Sequence, residues 1–123
     1  MELLKNLNKE QIEAVKTIDG PVLVMAGAGS GKTKVLTTRI AYLIEEGIPS
    51  YNILAITFTN KAAAEMRDRV SNLIGDVSSF IGTFQSLGVR IIRENHDILG
   101  LPNNFTIIDS DDTNTIIKKL LKE

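Results

Sequence analysis

PVLVMAGAGSGKTKVLTTRIAYLIEE, residues 21–46, is the stretch from which the rest of the chain is read. Its first part, PVLVMA at 21–26, is a continuous apolar run of strand length, and the segment from Lys32 to about Glu46 has helical periodicity. Between them lies a loop with glycine at 27, 29 and 31. Strand, glycine-rich loop and helix follow in the order that a phosphate-binding loop needs, and AGAGSGKT at 26–33 has that motif's spacing. One position departs from it: the strict pattern opens on glycine, where this chain has Ala26. Gly27, Gly29 and Gly31 permit backbone conformations barred to bulkier residues. Successive N–H groups of the loop, Ala28 and Ser30 included, can then turn inward around phosphate oxygens at the helix N-terminus. Lys32 supplies a point charge to the β- and γ-phosphates, and the Thr33 hydroxyl can ligate Mg²⁺. The loop by itself leaves ATP and GTP both open, and a plain glycine-rich turn with an incidental lysine is the bland alternative.

Composition bounds what such a loop can serve. A length of 123 residues suits one domain, or one piece of a larger machine. With 43% hydrophobic and 24% charged residues, the chain has the balance of a globular protein and not of a disordered one. Fourteen basic against fifteen acidic residues give a net charge of -1, so no global field draws it to nucleic acid or lipid, and any such contact is local. Without cysteine, and with His96 as the lone histidine, disulfides and ordinary zinc clusters are excluded. MELLKNLNKE has no signal-peptide core, and no apolar run approaches the roughly 20 residues of a membrane span. The expectation is a cytoplasmic protein with no membrane partner.

Outward from the loop, apolar spacing predicts alternating short strands and amphipathic helices, an α/β chain with a parallel sheet. Asn8 can cap a first helix whose third residue is Gln11 and whose face carries Ile12, Val15 and Ile18, ending at Asp19, Gly20 and Pro21. ILAITF at 53–58 is the next strand, followed by a helix over 60–74 with Ala63, Met66, Val70 and Leu73 at helical spacing and Glu65 set to pair with Arg69. A short strand is predicted around 79–82. Thr83 can cap the following helix, in which Phe84, Leu87 and Ile91 share a face. FTIID at 105–109 reads as a fourth strand, and 110–122 as a helix burying Ile116, Ile117, Leu120 and Leu121. LLKE, with no capping glycine or polar tail, reads as a cut end.

LNKEQIEAV, AGAGSGKT, ITFTNKAAAEMRDRV and GTFQSLGVRIIR stand in the order found at the start of superfamily 1 DNA helicases, and the chain resembles the UvrD, Rep and PcrA group over nearly its whole length, FTIIDSDD included. The resemblance implies a RecA-like P-loop NTPase fold, here an incomplete first lobe. Residues 1–110 would be the nucleotide-binding part and 111–123 a helix leading toward a missing subdomain. It implies ATP with Mg²⁺, single-stranded DNA as partner, 3′ to 5′ translocation, and a setting in DNA repair or replication. It also implies that Gln11 reads the adenine edge, since an amide offers both a donor and an acceptor; from the residues alone, Gln11 is equally a capping-box residue.

By the same resemblance, Phe58, Thr59, Asn60 and Lys61 meet single-stranded DNA at the end of the second strand, and Thr83, Phe84 and Ser86 lie near it. Phe58 offers a π-face and the helix N-terminus offers phosphate contacts. Core packing of Phe58 and Phe84 and N-capping by Thr59 or Asn60 are the competing readings. Gln85 stands where the group commonly has histidine. Arg39, on the helix after the loop, reads as a solvated helix charge, with a weak nucleotide contact as the other reading.

Phosphoryl transfer also needs an acid to hold Mg²⁺ through water, a carboxylate to orient the attacking water, and an arginine facing the γ-phosphate. The family's DExx block and finger arginines are not in this sequence. Asp109 is the apparent substitute acid, with a helix cap as its other reading. Two functions follow: the nucleotide-binding lobe of a helicase, incompetent for turnover by itself, or a small self-contained P-loop NTPase or nucleotide kinase using Asp109. For the lobe, uncovered apolar surface predicts self-association.

Overall fold

The Asn8 cap acts as its spacing predicts. Asn8 Oδ1 accepts from Gln11 N–H at 2.8 Å, and Gln11 Oε1 accepts from Asn8 N–H at 2.9 Å, a reciprocal capping box that opens α1, Lys9–Lys16. The computed structural model describes residues 2–27 and 31–122. After α1 come α2 (Lys32–Glu45), β1 (Leu54–Thr57), α3 (Asn60–Ile74), β2 (Phe80–Thr83), α4 (Phe84–Glu94) and α5 (Ser110–Lys122), with short 3-10 turns at Glu2–Leu4 and Ser50–Asn52. Two compact units, Met1–Leu87 and Gly88–Glu123, divide the chain within α4.

In the first unit, β1 and β2 run parallel, paired Leu54 with Phe80 through Thr57 with Thr83, and α3 is the crossover between them. Ile40 of α2, Ile53, Met66 and Val70 of α3, and Ile81 of β2 form the core over this sheet. A second cluster, Ala14, Val15, Val35 and Tyr42, joins α1 to α2. The helix after the phosphate loop is therefore the wall shared by both cores, which is why its Thr37 and Thr38 are also buried. Thr37 satisfies its hydroxyl within the helix by donating to the Thr33 carbonyl at 3.0 Å. Gly47, at φ +96°, ends α2 in a Schellman arrangement: its own N–H reaches Ile44 O, and the next N–H, of Ile48, reaches Leu43 O.

Several expectations are corrected. Residues 21–26 and 105–109 form no strand; among the described residues the sheet has two strands, β1 and β2. A strand exists only through a ladder with a neighbour, and neither segment finds one there. Leu23 and Met25 stand 87% and 90% exposed. The face of α5 predicted to be buried is open: Ile116, Ile117, Leu120 and Leu121 are all exposed, as are Phe84 and Ile91 of α4. Amphipathic spacing marks a face that needs cover without supplying the cover. Glu65 and Arg69 do not pair; the helical i,i+4 ion pair among the described residues is Arg90 with Glu94 at 3.2 Å.

In the second unit, Asp109 Oδ1 accepts from Asp112 N–H at 2.8 Å and Asp112 Oδ2 accepts from Asp109 N–H at 3.2 Å, a capping box opening α5. Arg93 lies over the Phe105 ring at 4.7 Å from its centroid. His96 sits in the turn after α4, its Nδ1 3.0 Å from the Leu101 carbonyl.

Candidate functional site

Three successive stretches wall one cavity of about 540 Å³: Asn8, Glu10, Gln11 and Ala14 from α1 and its cap; Val22, Val24, Met25 and Ala26 from the segment before the loop; and Lys32, Val35, Leu36 and Arg39 from α2. This volume falls within the roughly 300–1,000 Å³ of small-molecule sites. Val22, Val24 and Met25 line the cavity and Leu23 does not, and Leu23 and Met25 are the most exposed of the four.

Gly31 is the N-cap of α2 in the left-handed region, φ +83°, and among the described residues no side chain caps the helix. The opening turn of α2 carries no acid, which suits an anion there, while Glu10 of α1 lines the same cavity. A Cβ on Gly31 would lie 3.0 Å from Gln11 Nε2, so the glycine admits both the turn and the close approach of the amide. Gln11 thus serves the cap and faces the loop at once. Its Oε1 has a second lone pair, and the cap bond fixes the rotamer that presents the amide.

The residues present fit a nucleoside triphosphate: the Gln11 amide close to the N-cap of α2, apolar side chains in the wall, and Lys32 in the first turn of that helix. Ala28, Gly29 and Ser30 of the loop lie outside the described residues, Gly27 and Gly31 flank them, and Thr33 is the second residue of α2. Mg²⁺ has Thr33 as its candidate protein ligand, and among the described residues no group of three acids or histidines gathers to hold a metal. Asp109, engaged as the cap of α5, shows no such gathering around it.

Arg39 is the residue that sequence reasoning weighed and left out of the site. It lines the cavity and donates to the Ala14 carbonyl. The signal was available: Lys32, Leu36 and Arg39 are four and seven residues apart on one helix, hence on one stripe.

A second set of candidates gathers at the carboxyl ends of β1 and β2. The Thr57–Thr83 rung is the last of the ladder, so Phe58 and Phe84 occupy matching positions just past it, and their rings are 100% and 73% exposed. Each helix that follows begins there. Thr59 caps α3 by accepting from Ala62 N–H at 3.0 Å, leaving Asn60 and the exposed Lys61 at the helix start. Thr83 and Ser86 engage each other: Ser86 Oγ accepts from Thr83 N–H at 2.8 Å, and Thr83 Oγ1 accepts from Ser86 N–H at 3.2 Å. Thr83 is buried, so this edge offers two open rings, a lysine and two helix starts more than it offers hydroxyls. Gly82 is required behind it, because a Cβ there would sit 2.6 Å from Ser86 Oγ and 2.9 Å from Phe80 Cζ.

The family model for the UvrD/REP helicase N-terminal domain matches residues 7–123. Among similar proteins, the ATP-dependent DNA helicases PcrA of Staphylococcus aureus (strain Mu50 / ATCC 700699) and of Staphylococcus epidermidis (strain ATCC 12228 / FDA PCI 1200) are each 58% identical over 123 residues, 98% of this chain. The chain spans 17% of the length of these relatives.

Proposed function

The chain belongs to the UvrD/REP helicase N-terminal domain family, and from that premise we propose that it is the ATP-binding N-terminal lobe of a 3′ to 5′ DNA helicase, a single-strand translocase that couples ATP hydrolysis to unwinding. The observation that carries this reading is the meeting of Gln11, Ala26 and Lys32 on one cavity at the uncapped start of α2. Gln11 reads the adenine edge, the loop from Ala26 to Lys32 cradles the phosphates, and Thr33 is the protein's ligand to Mg²⁺. Bound Mg²⁺ would neutralise charge developing on the phosphates.

Single-stranded DNA is the partner of the strand-end edge. Phe58 and Phe84 stack bases, and Lys61 with the two helix starts meets phosphates. The printed activity of the staphylococcal relatives, ATP-dependent DNA helicase, supports this pairing of sites. The setting that fits is cytoplasmic DNA repair or replication. Residues 1–110 are the RecA-like part of a P-loop NTPase, in which 21–26 becomes a sheet strand beside strands from the rest of a longer protein, and 111–123 lead toward its next subdomain.

By itself the chain binds ATP without turning it over: Glu10 and Arg39 line the cavity, but Arg39 is engaged with the Ala14 carbonyl and no group of acids gathers there among the described residues, so the set that phosphoryl transfer needs is incomplete. Asp109 as the acid of a self-contained NTPase is disfavoured by its engagement as a helix cap. Steady-state ATP turnover by the chain, with and without a single-stranded oligonucleotide, is expected to equal that of a Lys32→Ala blank. Turnover well above the blank would overturn the incomplete-lobe reading and return Asp109 to the site.

A further inference from the structure

The helix that follows the phosphate loop holds Gln11's segment at two points. Lys34 Nζ donates to the Asn6 carbonyl at 3.0 Å, and Arg39 donates to the Ala14 carbonyl. Gln11 lies between those two anchors. Apolar packing of Ala14 and Val15 against Val35 and Tyr42 keeps α1 on α2, but such packing is non-directional and leaves α1 free to slide or roll by a fraction of a turn. Directional, charge-assisted bonds on either side of Gln11 remove that freedom.

Asn6 carries a second mark. Its φ is +74°, and it is the one non-glycine residue with positive φ among the described residues. A left-handed asparagine persists where its surroundings over-determine it, and here Lys34 holds the carbonyl of that very residue, two positions before the Asn8 cap that sets the Gln11 rotamer. Lys34 does not line the nucleotide cavity. It faces a separate cleft of about 530 Å³ with Lys5, Asn6, Thr37 and Arg69, and its bond to the Asn6 carbonyl is its link to the segment that carries Gln11.

We propose that Lys34 is a positioning residue for base recognition: by fixing Asn6, it sets where the Gln11 amide stands relative to the phosphate loop. This rests on the reading of the cavity as an ATP site, and it separates the two ends of the ligand. Loss of Lys34 disturbs the base end and leaves the phosphate end, built on Gly31 and Lys32, as it was.

The test compares binding of Mg·ATP and of inorganic tripolyphosphate, which has the phosphates and no base, to the unmodified chain, Lys34→Met and Lys34→Arg. Methionine keeps the stem and the helix propensity and removes the donor; arginine keeps a donor. For Lys34→Met, the expected result is ATP affinity lowered about fivefold, the scale of one partly exposed charge-assisted bond, with tripolyphosphate affinity unchanged. Lys34→Arg should recover most of the ATP affinity. Unchanged tripolyphosphate binding also shows that the variant is folded. Equal losses for both ligands, or no loss of ATP affinity, would overturn the positioning role while leaving the ATP site standing. Failure of the unmodified chain to bind either ligand would overturn the ATP reading, and this role with it.

Discussion

Phe58 shows what a single side chain can and cannot disclose. An aromatic at the end of an apolar run reads as core, yet its ring is fully exposed, because β1 ends one residue earlier and the chain turns into the Thr59 cap. Phe58→Ala should leave stability within about 0.5 kcal/mol, as for other exposed positions. It should also lower affinity for a single-stranded oligonucleotide by about tenfold, the scale of one lost stacking contact. Anisotropy with a labelled oligonucleotide checks this, and unchanged affinity would remove Phe58 from the interface. The capping role of Gln11 was legible, since a three-residue spacing from Asn8 is a local property. The bonds made by Arg39 and Lys34 were not, because their partners, the carbonyls of Ala14 and Asn6, lie 25 and 28 residues away. No spacing rule within a helix reports a contact of that range.

Among the elements, helices were legible and half of the strands were not. α1, α2 and α3 follow from caps, glycine stops and apolar stripes, all of which are written within one segment. PVLVMA and FTIID show only a demand for burial, and a strand needs a neighbour that neither finds among the described residues. The same distinction gives a paired prediction. Met66 of α3 is 3% exposed in the core over the sheet, so Met66→Ala should cost about 2–5 kcal/mol in a denaturant melt. Leu121 of α5 is 81% exposed, so Leu121→Ala should cost less than about 0.5 kcal/mol. A large cost at Leu121 would mean that the apolar face of α5 is covered after all.

At the scale of the whole molecule, exposed surface is the telling quantity. The chain exposes 9265 Å², whereas two separate compact bodies of the sizes of its two units would expose roughly 7,700 Å² by mass scaling. The excess, of order 1,500 Å², is what one partner contributes to a large interface. Leu23, Met25 and the apolar face of α5 are part of it. We expect the chain alone to self-associate, with light scattering at high concentration giving a mass above that of the monomer; a strictly monomeric mass would show that this surface tolerates water. In the longer helicases of the family, the rest of the polypeptide is the natural cover in our reading.

The central claim is that the start of α2, with Gln11 across from it, is an ATP site. Calorimetric titration of Mg·ATP into the chain and into Lys32→Ala tests it most directly. The account predicts saturable binding of one nucleotide per chain, and loss of that binding in Lys32→Ala with an unchanged melting temperature. Equal affinity in the two proteins would contradict it.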